Sequence, residues 1–357
     1  MKNLTWTLAL ALALGFGACK GSGDEKKEQT NPEEQSKKME LLERAKLYFK
    51  PLPAVALAEH NEITEEKVKL GKILYFDNKL SETGNISCNS CHDLNTFGVD
   101  NLPVSPGDDG TLGTRNSPTV FNAAFHTTQF WDGRAKDVEE QAGMPITNPV
   151  EMMMVDEDYT VNRLKTSSAY ADLFKAAFPN DADPVSFENL KLAIGAFERT
   201  LVTPSKFDEF LNGNIDAMSM EELSGMETFI TTGCIACHKG EVLGGGALQK
   251  FPLFGSYEEF TGSTVVDYGK YEETKVESDK HLFKPQSLRN VEKTYPYMHD
   301  GKVESLEEAV RIMGLTSLNK TLNDKEIASI VTFLKTLTAD VPEDVKQAPD
   351  ELLTIWQ

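Results

Sequence analysis

The chain has 357 residues, which leaves room for two domains of about 100–200 residues each. Apolar residues make up 40% of it, enough for packed cores and too many for general disorder. The formal charge is −20, from 36 Lys+Arg against 56 Asp+Glu, which excludes a nucleic-acid partner and permits a basic protein partner.

The N-terminus reads as an export signal. Lys2 is followed by the apolar run Leu4 to Phe16, then Gly17-Ala18 and Cys19. The run is too short to span a bilayer core of about 30 Å comfortably. Small residues before a lone cysteine resemble a lipoprotein signal, so residues 1–18 are expected to be removed and Cys19 lipidated. An ordinary signal peptide with an incidental cysteine is the alternative. Either reading puts the mature protein in the periplasm or cell envelope, and the first adds a membrane anchor. Residues 19–40 are dense in charge and read as a flexible tether.

The remainder falls into two weakly repeated units. Thr64 begins a helix with Glu65 and Glu66 in its first turn, and Leu70, Ile73 and Leu74 at helical spacing. Ser219 and Glu222 form a capping-box pattern before Leu223, Met226, Phe229 and Ile230. Each helix carries a glycine, Gly71 or Gly225, where a second helix would approach closely, and each leads through a loop to Cys-x-x-Cys-His. Each unit closes with an amphipathic helix, one over Phe187 to Leu201 and one over Asn323 to Leu334. The expected fold is mainly α, with domains at 41–202 and 203–338 joined near Thr203-Pro204-Ser205. Residues 339–357 form a tail that packs on the first domain.

The chemistry lies in Cys88-Asn89-Ser90-Cys91-His92 and Cys234-Ile235-Ala236-Cys237-His238. Two thiols three positions apart match the two vinyl groups on one haem edge, and the histidine that follows reaches the iron. A thioredoxin-like redox pair would need a strand-to-helix context, which is missing, and a zinc site sits badly beside an export signal. Two covalent haems c, one per half, are therefore expected. Met313 lies at helical spacing from Leu306 and Val310 and could be a ligand or simple packing.

Several further stretches carry a family likeness. They are Leu70-Gly71-Lys72-Ile73-Leu74-Tyr75-Phe76-Asp77, Arg115-Asn116-Ser117-Pro118-Thr119, Phe130-Trp131-Asp132-Gly133-Arg134, Val150-Glu151-Met152, Ser287-Leu288-Arg289-Asn290 and Ile312-Met313-Gly314. With the two haem motifs they span about Leu52 to Thr338, and over that length the chain resembles the bacterial dihaem cytochrome c peroxidases. The resemblance implies two cytochrome-c-like domains that reduce hydrogen peroxide with electrons from a small redox protein, a cytochrome c or a copper protein. It implies that His92 serves the peroxidatic haem, that Glu151 shuttles a proton there, and that Gln141 hydrogen-bonds beside it. It gives His238 and Met313 to the electron-transfer haem, Trp131 to the path between the two, and Asn116 with the carbonyls of Thr294 and Pro296 to a calcium ion. A homodimer is also implied.

One departure stands out. Many members place an iron-blocking histidine in the loop that here reads Ser105-Pro106-Gly107-Asp108-Asp109-Gly110, with Asp108 at the matching position. The first haem is therefore expected to be open at rest, with no need for reductive priming, and His126 lies outside the matching loop. Two other functions compete. One is a relative that oxidises a tryptophan in a partner protein, which would carry tyrosine where Met313 stands. The other is a dihaem electron carrier with no catalytic use for Glu151 and Gln141.

Overall fold

The computed structural model describes residues 31–357. The signal segment, Cys19 and the first part of the tether lie outside the described residues. The chain is mainly helical. Its helices are α1 (Pro32–Lys46), α2 (Glu65–Phe76), α3 (Cys88–Cys91), α4 (Val138–Thr147), α5 (Glu157–Lys165), α6 (Ser168–Ala177) and α7 (Phe187–Glu198). The second half adds α8 (Lys206–Leu211), α9 (Met220–Thr232), α10 (Tyr257–Thr261), α11 (Tyr271–Thr274), α12 (Leu306–Leu318), α13 (Asp324–Lys335) and α14 (Glu343–Lys346). The one sheet among the described residues is a short antiparallel pair, β1 (Gln249–Lys250) and β2 (Leu282–Phe283), with Gln249 opposite Phe283.

Each half is built on one crossed helix pair. In the first, α2 packs on α7, and a Cβ on Gly71 would lie 1.9 Å from the Ala193 carbonyl oxygen. In the second, α9 packs on α13, and a Cβ on Gly225 would lie 2.2 Å from the Ser329 carbonyl oxygen. Only glycine allows backbones that close. Around these crossings the first core gathers Leu70, Leu74, Phe174, Leu190 and Ile194. The second gathers Phe207, Met226, Phe229, Ile330 and Phe333.

The N-terminal boundary differs from the expected one. Residues 32–40, read as tether, belong to α1, and residues 41–49, read as part of the first domain, pack in the second core. Asn31 caps α1, its Oδ1 accepting from the Glu33 amide at 3.1 Å, and Pro32 opens the first turn. Leu41, Leu42, Ala45 and Phe49 then join Phe207, Phe229 and Phe333. The dense charge hid a narrow apolar stripe. Lys38 is itself buried, with its ammonium 3.2 Å from Asp216 and 3.4 Å from Glu34.

The junction between the halves is a buried knot. Asn122 of the first half donates to Thr203 Oγ1 at 2.7 Å, and Asn290 of the second donates to the same oxygen at 2.9 Å. At the C-terminus Ile355 enters the first core, and Trp356 Nε1 donates to Asp77 Oδ2 at 3.0 Å.

Candidate active site

The two Cys-x-x-Cys-His segments are held in the same way. Ser87 precedes α3, and its amide donates to Ser90 Oγ at 3.0 Å, fixing the turn that carries Cys88 and Cys91. His92 Nδ1 then meets the Pro118 carbonyl at 2.9 Å, and Tyr75 donates to the His92 carbonyl at 2.5 Å. In the second half Gly233, with φ of 110°, turns the chain out of α9 into Cys234. His238 Nδ1 meets the Leu243 carbonyl at 2.9 Å. A backbone carbonyl on Nδ1 fixes the tautomer and leaves Nε2 bare for a metal. Burial lowers the pKa of both rings, which favours the neutral, ligating form.

The four cysteines of the two motifs are unpaired thiols. Burial pushes Cys91 and Cys234 up to about 11, and Cys88 further still. A redox-active cysteine pair needs the opposite shift.

The residues of the second half fit a haem. An apolar cavity of about 280 Å³ is lined by Cys234, Cys237, His238 and Met313, with Trp131 in its wall. It offers an imidazole and a thioether on one cavity, a known axial pair for haem iron. Gln286 also lines it, and its Nε2 is buried without a partner, a donor left for a polar group of the occupant.

Trp131 belongs to the first half yet lines this second-half cavity. Its Nε1 donates to the Asn116 carbonyl at 2.8 Å, and its own carbonyl accepts from the Lys284 amide at 2.7 Å. Asn116, Thr294 and Pro296 line the same cavity. Asn116 Nδ2 donates to the Leu102 carbonyl at 2.9 Å, and its Oδ1 accepts nothing among the described residues.

On the side of the first motif, Glu151 sits in the turn after α4, its amide donating to the Asn148 carbonyl at 3.0 Å. Its charge reaches both Cys88 and Cys91. Burial raises its carboxyl above the usual range, against the charge of Arg134 and a hydrogen bond from Asn148. Gln141 lies on α4 itself, and no hydrogen bond joins its side chain to Glu151 among the described residues. Arg134 and Tyr75 sit inside the matched stretches, but nothing in the local pattern assigns either a role. Their parts, a charge facing Glu151 and a hydroxyl holding the His92 backbone, become visible only in three dimensions.

Asp108 is buried and fully engaged. Its Oδ2 accepts from the Thr83 amide at 2.6 Å and its Oδ1 from the Asn85 amide at 3.1 Å. Burial opposes its ionisation, but these bonds hold the carboxyl below its ordinary value. Its amide donates to the Glu151 carbonyl at 2.8 Å, so the Asp108 loop braces the Glu151 turn. His126 is buried elsewhere, against Gly245 and Lys284.

Sequence comparison decides the family. Cytochrome c551 peroxidase of Pseudomonas aeruginosa is 44% identical over 306 residues, covering 85% of this chain and 87% of that protein. The chain belongs to the di-haem cytochrome c peroxidase family. The family pattern described as "Di-haem cytochrome c peroxidase" matches residues 65–216. The methylamine utilization protein MauG of Methylorubrum extorquens is 33% identical, covering 84% of this chain and 86% of its own length. Among solved structures, a MauG-like protein associated with microbial copper homeostasis superposes with a TM-score of 0.72 at 27% identity, over 84% of this chain and 97% of that one. A diheme peroxidase from Burkholderia thailandensis, at 17% identity and a TM-score of 0.66, shares the fold over 84% of this chain and 93% of its own. Membership in this family implies two haems c. Among the described residues no helix is long and apolar enough to cross a membrane.

Proposed function

We propose that the chain reduces hydrogen peroxide to water at the His92 site, using electrons that enter from a small redox protein at the His238 site. The observation that carries this reading is the asymmetry of the two sites. Met313 shares the cavity of His238, whereas the first motif has the half-buried carboxyl of Glu151, its proton affinity raised, within electrostatic reach. A bound haem supplies the iron on which the peroxide bond is cleaved. The rest of the work belongs to side chains.

Glu151 takes the proton from the near peroxide oxygen at its carboxylate and returns it to the far oxygen, which leaves as water. Its raised pKa brings proton affinity nearer to neutrality, where an acid–base catalyst works best. Arg134 offsets the charge when the carboxyl is ionised, and Gln141 orients the peroxide. His238 and Met313 close the second site, which suits storage of an electron rather than substrate binding. Trp131 provides the aromatic bridge, its position fixed by Asn116 and Lys284. Asn116 Oδ1 and the carbonyls of Thr294 and Pro296 offer the oxygen set that a calcium ion takes.

The enzyme needs no reductive priming under this reading. Both oxygens of Asp108 are taken by backbone amides, and His126 is buried against second-half residues, so neither blocks the His92 site. Export and lipidation at Cys19 place the protein at a membrane surface of the cell envelope, a reading supported by the sequence of residues 1–19. A peroxide assay of the oxidised holoprotein with a reduced cytochrome donor tests the function. Turnover without pre-reduction is expected. Absence of turnover in every redox state would make the protein an electron carrier.

A further inference from the structure

A pair of bases that this mechanism does not use is buried where the two halves meet. Lys284 is 2% exposed and His126 8%. Lys284 Nζ lies 3.0 Å from His126 Nδ1 and 3.0 Å from the Thr128 carbonyl. The other ring nitrogen, His126 Nε2, is buried with no hydrogen-bond partner. When Nδ1 accepts from an ammonium, the ring proton must sit on Nε2, where it stays unpaired. Proteins seldom leave a buried donor so.

The pair touches both sides of the electron path. The Lys284 amide donates to the Trp131 carbonyl at 2.7 Å, and Lys284 lines the cavity that holds His238 and Met313. The His126 ring lies so close to Gly245 that a Cβ there would be 2.3 Å from its Cδ2. The Thr127 amide donates to the Gly245 carbonyl at 2.8 Å. Gly245 is two residues beyond Leu243, whose carbonyl fixes His238.

The charges around the pair are few. Asp132 faces Lys284 but is already shared by Arg115 and Arg134, and His126 faces Lys284 alone. Burial brings Lys284 down to about 7. It also takes His126 well below the usual imidazole value, with the lysine charge adding to the effect. Two bases 3.0 Å apart cannot both carry a charge without strong repulsion, so the pair holds at most one added proton.

We propose that Lys284 and His126 form a one-proton store that balances the charge of an electron held at the His238 site. One electron from the redox partner arrives at that site as one proton from water bonds to Lys284 Nζ. The proton returns to water when the electron moves on through Trp131. Only an N–H bond forms and breaks. The inference rests on the reading of the His238 site as the electron relay.

Potentiometric titration of the second haem in the intact holoprotein, across neutral pH, tests it. In the wild type the potential falls as pH rises through about 7, because a protonated Lys284 favours the extra electron. Lys284→Met is expected to be pH-independent at the low limit. Lys284→Arg, permanently charged, is expected to be pH-independent at the high limit, whereas a merely structural role would shift both variants the same way. A flat wild-type profile, or a bend that survives in both variants, overturns the proposal. If the variants fail to fold, NMR of wild-type protein with labelled lysine replaces them. Lys284 should titrate at higher pH when the second haem is reduced, and an unchanged titration overturns the proposal. Neither readout needs peroxide turnover, so a protein that shows the bend but no turnover separates this claim from the peroxidase reading.

Discussion

Glu151, half-buried, and Glu198, buried, are both carboxyls near the first haem motif, and they predict different behaviour. Glu151 has a counter-charge in Arg134 and faces the proposed peroxide site. Replacing it with Gln removes the proton carrier while keeping shape, so turnover should fall by about a hundred- to ten-thousand-fold. A peroxide assay checks this, and intact turnover would refute its role. Glu198 sits on α7 with its carboxyl pushed up to about 8 by burial first and the charge of Glu139 second. A raised folded-state pKa means that its contribution to stability is full below the unfolded carboxyl value and is lost as pH rises toward 8. Glu198→Gln should therefore raise Tm at pH 7 and leave it unchanged at acid pH, which paired thermal melts would show. Glu151 was marked by its matched stretch, whereas the burial of Glu198 depends on how α7 packs against α2 and α4.

At the level of helices, the strongest sequence signal was a missing side chain. Gly71 and Gly225 were legible because each interrupts an otherwise apolar helix before a haem motif, and both lie at backbone-to-backbone crossings. Alanine at either position overpacks a crossing that cannot yield locally. A loss of at least about 1–3 kcal/mol is expected, read from the denaturation midpoint of the holoprotein. Helix α1 was illegible for the converse reason. Its few apolar residues lie among glutamates and lysines, and its stripe gains meaning only against Phe207 and Phe333. The Arg289 motif was legible as a pattern, but its structural work was not. Arg289 is fully buried and grips Asp208 at 2.5 and 2.9 Å, while Asp208 also accepts from the Leu52 amide at 2.8 Å. Arg289→Met would leave that carboxylate buried without its cation, at a cost of about 3–5 kcal/mol by chemical denaturation.

In the whole molecule, the proposed division of work between two similar units rests on what surrounds their histidines. The haem motifs, the caps and the helix pairs could be read from local spacing. The seam could not, because it joins Asn122, Thr203 and Asn290, and separately His126, Lys284 and Trp131, across more than 80 residues in each case. The proposed division of labour also depends on Asp108, whose oxygens are engaged in closing a loop. The electron paramagnetic resonance spectrum of the fully oxidised holoprotein tests that division most directly. One high-spin ferric signal from an open His92 site and one low-spin signal from the His238 and Met313 site are expected. Two low-spin signals would contradict the division.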